Sequence, residues 1–224
     1  MFLNKVTLLS TTQSAAELTR LASNGVYASH QLLWQLFPED NERSFIYRQE
    51  EGVNGRPEFF VLSHVKPASN DTIFSVQTKP FMPKLNTGDR LAFKLTVNPT
   101  VCITDDKGKS RRHDVLMHVK KHANHDLKND SAGLKIAMEH AAIQWISDRK
   151  RLAQWGMSFD ALPNIESYTQ HDSKKRTGHN VRFSSVDFQG ILTITDPTVF
   201  LNQYARGFGR SKSMGCGLMM IRKI

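Results

Sequence analysis

The order in which two periodicities alternate along the first half of the chain constrains its fold most. Strand candidates occupy Phe2 to Leu9, Phe45 to Gln49, Glu58 to Val65, Ile73 to Met82 and Arg90 to Val97. Helical spacing falls between the first and second of these runs. One helical segment is expected from about Ser14 to Ala22, and Ser23-Asn24-Gly25 interrupts it. A second runs from Val26 to Phe37, with Asn24 as its cap and Pro38 as its stop. Gly52 to Pro57 reads as the turn between two strands. Strand, helix, strand, strand, strand is the order of a split βαβ, or ferredoxin-like, unit whose second helix is weak or missing.

The second half repeats the class of pattern without a detectable sequence repeat. It opens at Asn98-Pro99 with a short strand, Val101 to Thr104, that runs into a basic turn from Asp105 to Arg112. Leu134, Ala137, Met138, Ala141, Ala142, Trp145 and Ile146 mark the clearest helix. Residues 157–178 read as irregular and polar. Val181 to Val186 and Phe188 to Thr195 alternate like strands, Asp196-Pro197 starts a last helix, and a final strand lies near Leu218 to Ile221. A length of 224 residues suits two domains of about 110 each. The expectation is an α+β chain of two tandem ferredoxin-like (RRM-like) domains, 1–97 and 98–224.

Charge separates these halves. Residues 1–98 carry 10 basic and 9 acidic side chains, a net of +1, whereas 99–224 carry 20 and 12, a net of +8. A basic half beside a balanced one suits a polyanionic partner, nucleic acid first, although basic surfaces also serve solubility. No apolar run approaches the roughly 20 residues of a membrane helix, and Met1 to Leu9 reads as a strand and not a signal peptide. Cys102 and Cys216 lie far apart with no CxxC pair, which argues against a disulfide scaffold and fits a reducing cytoplasm.

Four features can carry chemistry. The first is Gly207-Phe208-Gly209-Arg210-Ser211-Lys212-Ser213-Met214-Gly215-Cys216-Gly217, where glycines let the backbone approach a phosphate and Arg210, Ser211, Lys212 and Ser213 supply donors. It lacks Walker spacing, and a tight turn explains its glycines equally well. The second is Tyr27 with His30, which share a helical stripe with Trp34 beside the apolar stripe of Val26, Leu33, Leu36 and Phe37. A histidine there either completes the core or exchanges protons near neutrality. The third is a pair of basic clusters, Lys107, Lys109, Arg111 and Arg112, and Lys174, Lys175 and Arg176. Both are hairpin tips able to reach phosphates or ordinary solvated loops. The fourth is His113, His118, His122 and His125. His118 and His122 share a helical face, yet no cysteine or carboxylate pair completes a metal-ligand pattern, so no metal and no cofactor is expected. Carboxylate clusters of the two-metal nuclease kind are also missing from the sequence.

Tyr27-x-x-His30 followed by Leu33-Trp34-Gln35-Leu36-Phe37-Pro38, together with Gly207-x-Gly209-x-x-Lys212-Ser213-Met214-Gly215-Cys216-Gly217-Leu218, resembles the CRISPR repeat-processing endoribonucleases of the Cascade complex, the CasE family of type I-E systems. Asn98-Pro99 and Phe188-x-Gly190-x-Leu192-Thr193-Ile194 resemble it too, while Thr11 to Gly25 is longer than the family's usual lead-in. The resemblance implies two tandem ferredoxin-like domains. It also implies metal-independent cutting of precursor CRISPR RNA at the base of the repeat stem-loop, leaving a 2′,3′-cyclic phosphate and a 5′-hydroxyl. The mature crRNA would stay bound, with the chain a subunit of the surveillance complex. Tyr27 and His30 would then be the catalytic pair. The 207–217 loop would lie against RNA, and the hairpin near Lys174 to Arg176 would grip the stem. A non-catalytic RNA-binding module would explain the charge and the loop but leaves Tyr27 and His30 without a role. A DNA-binding regulator has no helix-turn-helix or zinc-finger pattern to support it.

Changing Lys174, Lys175 and Arg176 together to Ala is expected to weaken binding of repeat RNA and flatten its salt dependence, by up to about one unit of slope per lost phosphate contact. Binding titrations across salt concentrations check this, and an unchanged slope places these side chains in solvent.

Overall fold

The computed structural model describes residues 1–104, 106–174 and 180–224. Its elements are β1 (Phe2–Leu8), α1 (Thr12–Trp34), β2 (Phe45–Glu51), β3 (Pro57–Ser63), β4 (Phe74–Pro80), β5 (Arg90–Val97), β6 (Thr100–Thr104), β7 (Ser110–Asp114), α2 (Val115–His122), α3 (His125–Asn129), α4 (Ser131–Ile146), α5 (Arg149–Trp155), β8 (Met157–Phe159), β9 (Asn164–Lys174), β10 (Asn180–Ile194), α6 (Pro197–Arg206) and β11 (Met219–Lys223). They form two compact units, Met1–Lys84 with Gln170–Arg182 and Tyr204–Leu218, and Leu85–Thr169 with Phe183–Gln203 and Met219–Ile224. No helix among the described residues is long and apolar enough to cross a membrane.

The first unit holds a four-stranded antiparallel sheet in the order β2-β3-β1-β4, the ferredoxin-like order. The loop from His64 to Ile73 stands where a second helix would be, as the sequence implied. One helix, α1, covers the sheet. Thr11 caps it, its hydroxyl oxygen accepting from the Ser14 amide at 3.1 Å, so it starts earlier than expected. Gly25 (φ 49, ψ −131) kinks it at the predicted interruption. The helix ends at Trp34 instead of Phe37, and Gln35 to Phe37 continue as tight turns with bonds three residues back.

Leu32, Leu33, Leu36 and Phe37 are buried against Val6, Leu8, Phe45, Tyr47, Phe59, Val61 and Phe74. Each fully buried leucine there contributes about 2 kcal/mol. Leu32 belongs to this face and Val26 is only half-buried, a rotation of the stripe read from the sequence. Asn4, which interrupts the first apolar run, is fully buried. Its amide nitrogen donates to the Val61 carbonyl and the Ser63 hydroxyl oxygen at 3.0 Å each, and its carbonyl accepts from the Thr78 hydroxyl at 2.8 Å. A polar residue is tolerated there because all its groups are paired across three strands.

The second unit carries the order β11-β5-β10-β8, with β9 also on β10. Helices α4 and α5 connect β5 to β8 and α6 connects β10 to β11, which completes the ferredoxin-like pattern with both helices present. Asp196 caps α6 as predicted, accepting from the Val199 amide at 3.0 Å. Three expectations need correction. The boundary does not fall at 97/98, because β5 pairs with β10 and β11 of the second sheet, while Tyr204–Leu218 returns to the first unit. Residues 157–174, the described part of the stretch read as irregular, are not irregular, since they include β8 and the eleven-residue β9, whose polar alternation hid an exposed strand. β10 is one continuous strand and not two.

Gly156 ends α5 with φ 69. A Cβ built there meets the Asp196 carbonyl at 2.5 Å and the Phe200 amide at 2.6 Å, both backbone atoms. Gly156→Ala is therefore expected to destabilise the protein by at least about 2 kcal/mol, read as a lower urea midpoint.

Candidate functional site

Tyr27 and His30 lie on the segment of α1 after the Gly25 kink, three residues apart on one face. The kink re-aims this segment, and its start is tied to the sheet by a buried phenol. The Tyr47 hydroxyl, on β2, lies 3.1 Å from the Val26 carbonyl and 3.4 Å from the Ser213 carbonyl. Burial holds the Tyr47 phenol protonated, well above its ordinary pKa, so its single proton is shared between the two carbonyls.

His30 is half-buried in an aromatic nest. Its ring centroid lies 5.9 Å from that of Trp34 and 6.3 Å from that of Phe45. Its Nδ1 is buried without a hydrogen-bond partner. Leaving such an atom unpaired costs about 1–3 kcal/mol, and it keeps one ring nitrogen available to a ligand. Burial, and then the positive charge of Arg43, lowers the His30 pKa below its ordinary 6.5, so the ring is neutral at pH 7. The Tyr27 hydroxyl accepts from the Gln31 amide at 3.3 Å and keeps its own proton free to donate.

The glycine-rich loop belongs to the same unit and leaves α6 at Gly207. It closes on itself through Phe208 N–H to the Gly217 carbonyl (2.8 Å) and Met214 N–H to the Ser211 carbonyl (2.8 Å). Two glycines are sterically required. Gly217 (φ 91) leaves no room for a Cβ, which would meet the Phe208 carbonyl at 2.6 Å, and Gly215 (φ 81) packs against the Tyr47 ring. Ser211 takes a left-handed φ of 54 without being glycine. The tight-turn explanation of these glycines is therefore correct for their conformation, and the turn also presents cations. Burial, followed by the charges of Arg43, Arg210 and Arg206, lowers the Lys212 pKa. None of these four cations forms an ion pair with another described residue.

The structure thus brings Tyr27, His30, Gly207, Gly209, Arg210, Ser211, Lys212 and Ser213 into one unit. Lys107 and Lys109 lie at the tip of the β6–β7 hairpin of the other unit, while Arg111 and Arg112 lie on its returning strand and not in the turn. All four are exposed. Lys174 ends β9, and Lys175 and Arg176 fall outside the described residues. Arg43 and Arg206 escaped the sequence reading. Arg43 follows Glu39, Asp40 and Glu42, so the segment reads as a balanced surface run. His118 and His122 do share a face, with ring centroids 4.1 Å apart, and His113 lies 5.5 Å from His118. No group of three such side chains among the described residues is arranged to hold a metal ion. Neither Cys102, which is exposed, nor Cys216, which is buried, is joined in a disulfide.

The sheets and the helix-borne Tyr/His pair define a tandem ferredoxin-like protein with a candidate anion site in its first unit. A family model described as CRISPR associated protein matches residues 1–223, and the chain belongs to that family. It is 27% identical to the CRISPR system Cascade subunit CasE of Escherichia coli (strain K12) over 209 residues, 91% of this chain and 95% of that protein. Among solved structures, the CRISPR-associated protein Cas6e from Escherichia coli str. K-12 matches with a TM-score of 0.65 at 25% identity, covering 100% of both chains. Thermus thermophilus Cse3, bound to an RNA representing a pre-cleavage complex, has the same fold, with a TM-score of 0.69 at 23% identity over 99% of this chain and 98% of that one. The CasE resemblance read from the two terminal motifs is thereby borne out.

A lowered His30 pKa fixes the sign of its pH linkage. The unfolded chain takes up this proton near pH 6.5 and the folded chain only at lower pH. Stability from neutral His30 is present above pH 6.5 and declines as the pH falls below it. In histidine-edited NMR titrations His30 is expected to show a midpoint below 6.5. A midpoint at or above that value contradicts the described burial.

Proposed function

We propose that the protein is a metal-independent endoribonuclease that cuts precursor CRISPR RNA at the base of the repeat stem-loop and then retains the crRNA as a subunit of a surveillance complex in the cytoplasm. The observation that carries this reading is a neutral, half-buried His30 with an unpaired ring nitrogen, beside Tyr27, in a unit whose glycine-rich loop holds uncompensated cations. The names of its relatives support it: CasE is a Cascade subunit, and Cse3 was solved with RNA.

In the proposed reaction the 2′-oxygen attacks the adjacent phosphorus and the bond from phosphorus to the 5′-oxygen breaks. The 2′-hydroxyl loses its proton and the leaving oxygen gains one, giving a 2′,3′-cyclic phosphate and a 5′-hydroxyl. His30 performs one of these two transfers. Tyr27 orients the phosphate or the attacking hydroxyl, and Lys212 stabilises the charge that builds on the phosphate oxygens. The 207–213 segment and the β6–β7 hairpin basic residues hold RNA phosphates.

A cleavage assay on labelled repeat RNA in excess EDTA tests the reading. The wild-type protein is expected to cut, and His30→Ala to cut about 10²–10⁴-fold more slowly with nearly unchanged affinity. A single 2′-deoxy substitution just 5′ of the cut is expected to abolish cleavage and spare binding. Normal cutting of the deoxy substrate makes water the nucleophile and refutes the mechanism. Binding with no cutting of any substrate leaves an RNA-binding module.

A further inference from the structure

We propose that Arg43, just before β2, is a direct ligand of the scissile phosphate, completing a cradle with Lys212, Arg206 and Arg210. The proposal deepens the reading above and rests on it.

The geometry starts from strand alternation. Phe45 and Tyr47 point to the α1 side of the sheet: the Phe45 ring lies 5.4 Å from Trp34 and 6.3 Å from His30, and the Tyr47 hydroxyl reaches Val26 and Ser213. The backbone pairing continues one step before β2, with the His64 amide donating to the Ser44 carbonyl at 3.2 Å. Period two therefore puts Arg43 on the same side as Phe45, at the sheet end nearest His30. In keeping with that position, its charge lowers the pKa of both His30 and Lys212.

The electrostatics point to an anion. Like charges brought together repel, and a folded chain normally relieves this with carboxylates. Here none of the four cations pairs with an acid among the described residues. Of the acids beside Arg43 in sequence, Asp40 instead accepts from the Ser44 hydroxyl. Arg43 itself is exposed as a residue, while partial burial of its guanidinium lowers its pKa. A phosphodiester supplies the missing negative charge, and a guanidinium can grip two of its oxygens at once. Lys212 and Arg43 then approach that phosphate from the loop and from the strand, with His30 beside it. The surplus charge that makes the empty site unfavourable is the charge that favours the increasingly negative phosphate during cleavage.

The test uses repeat RNA blocked by a 2′-deoxy substitution at the cut, with the scissile linkage either a normal phosphate or an uncharged methylphosphonate. Wild-type protein is expected to bind the neutral linkage about ten- to a hundredfold more weakly. Arg43→Gln is expected to bind the charged RNA with a similar loss and then to lose little more on neutralisation. Arg43→Lys is expected to recover part of the response. A control methylphosphonate within the stem is expected to weaken all three proteins equally. Additive losses for Arg43→Gln and the neutral linkage, or an unchanged affinity of Arg43→Gln, overturn the proposal. Wild-type cutting of all-ribose RNA is followed in parallel. Its failure overturns the proposed function, whereas normal cutting with additive losses overturns Arg43 alone. Unchanged thermal unfolding of the Arg43 variants excludes misfolding as the cause.

Discussion

The buried hydroxyl of Tyr47 is the contact on which the site depends. It meets the Val26 carbonyl where α1 resumes after its kink and the Ser213 carbonyl inside the glycine-rich loop. A donor this deeply buried must be paired, and its proton lies between two acceptors, one from the helix and one from the loop, so both are drawn to the same strand. The same ring packs against Gly215, where any larger residue would press on it. Residues from opposite ends of the chain therefore meet on β2. His30 gains its environment from the neighbouring Phe45 and Trp34 rings, which exclude water from one side of the imidazole.

That arrangement sets chemistry against stability. An unpaired buried ring nitrogen and a group of cations without carboxylates both raise the energy of the folded state. The rest of the first unit offsets them with a dense apolar core under α1 and fully paired polar groups such as Asn4. The unpaired His30 nitrogen and the cations thus sit on a unit whose sheet beneath is conventionally packed.

Much of the scaffold was legible. The strand-helix-strand-strand-strand order, the break at Gly25, the Asp196 cap and the strand character of Arg90–Val97 follow from local rules of period, capping and backbone freedom. These rules operate within a few residues and leave a direct signature. β9 was not legible, because an exposed strand alternates polar residues with polar residues. The membership of β5 was not legible either. Its pattern announces a strand, but its partners β10 and β11 lie far along the chain, as in the pairs Val186 with Val97 and Met219 with Leu95, and the same alternation fits either sheet.

Of the site, the sequence by itself determined the chemical inventory: a tyrosine and a histidine three residues apart, a basic loop rich in glycine, and a net positive second half. It left open whether His30 is core or reactive and whether the glycines serve turn or ligand. Tertiary structure decided the second and supplied the surroundings of the first. The histidine is half-buried yet unpaired, and the glycines make a tight turn that carries Lys212 close enough to Arg43 for their charges to interact. It also revealed Arg43, which in the sequence is cancelled by Glu39, Asp40 and Glu42. Charge along a chain is summed by position in sequence, but charge in a fold acts through distance. Arg43 stands just before β2, and its charge lowers the pKa of both His30 and Lys212, residues remote from it in sequence.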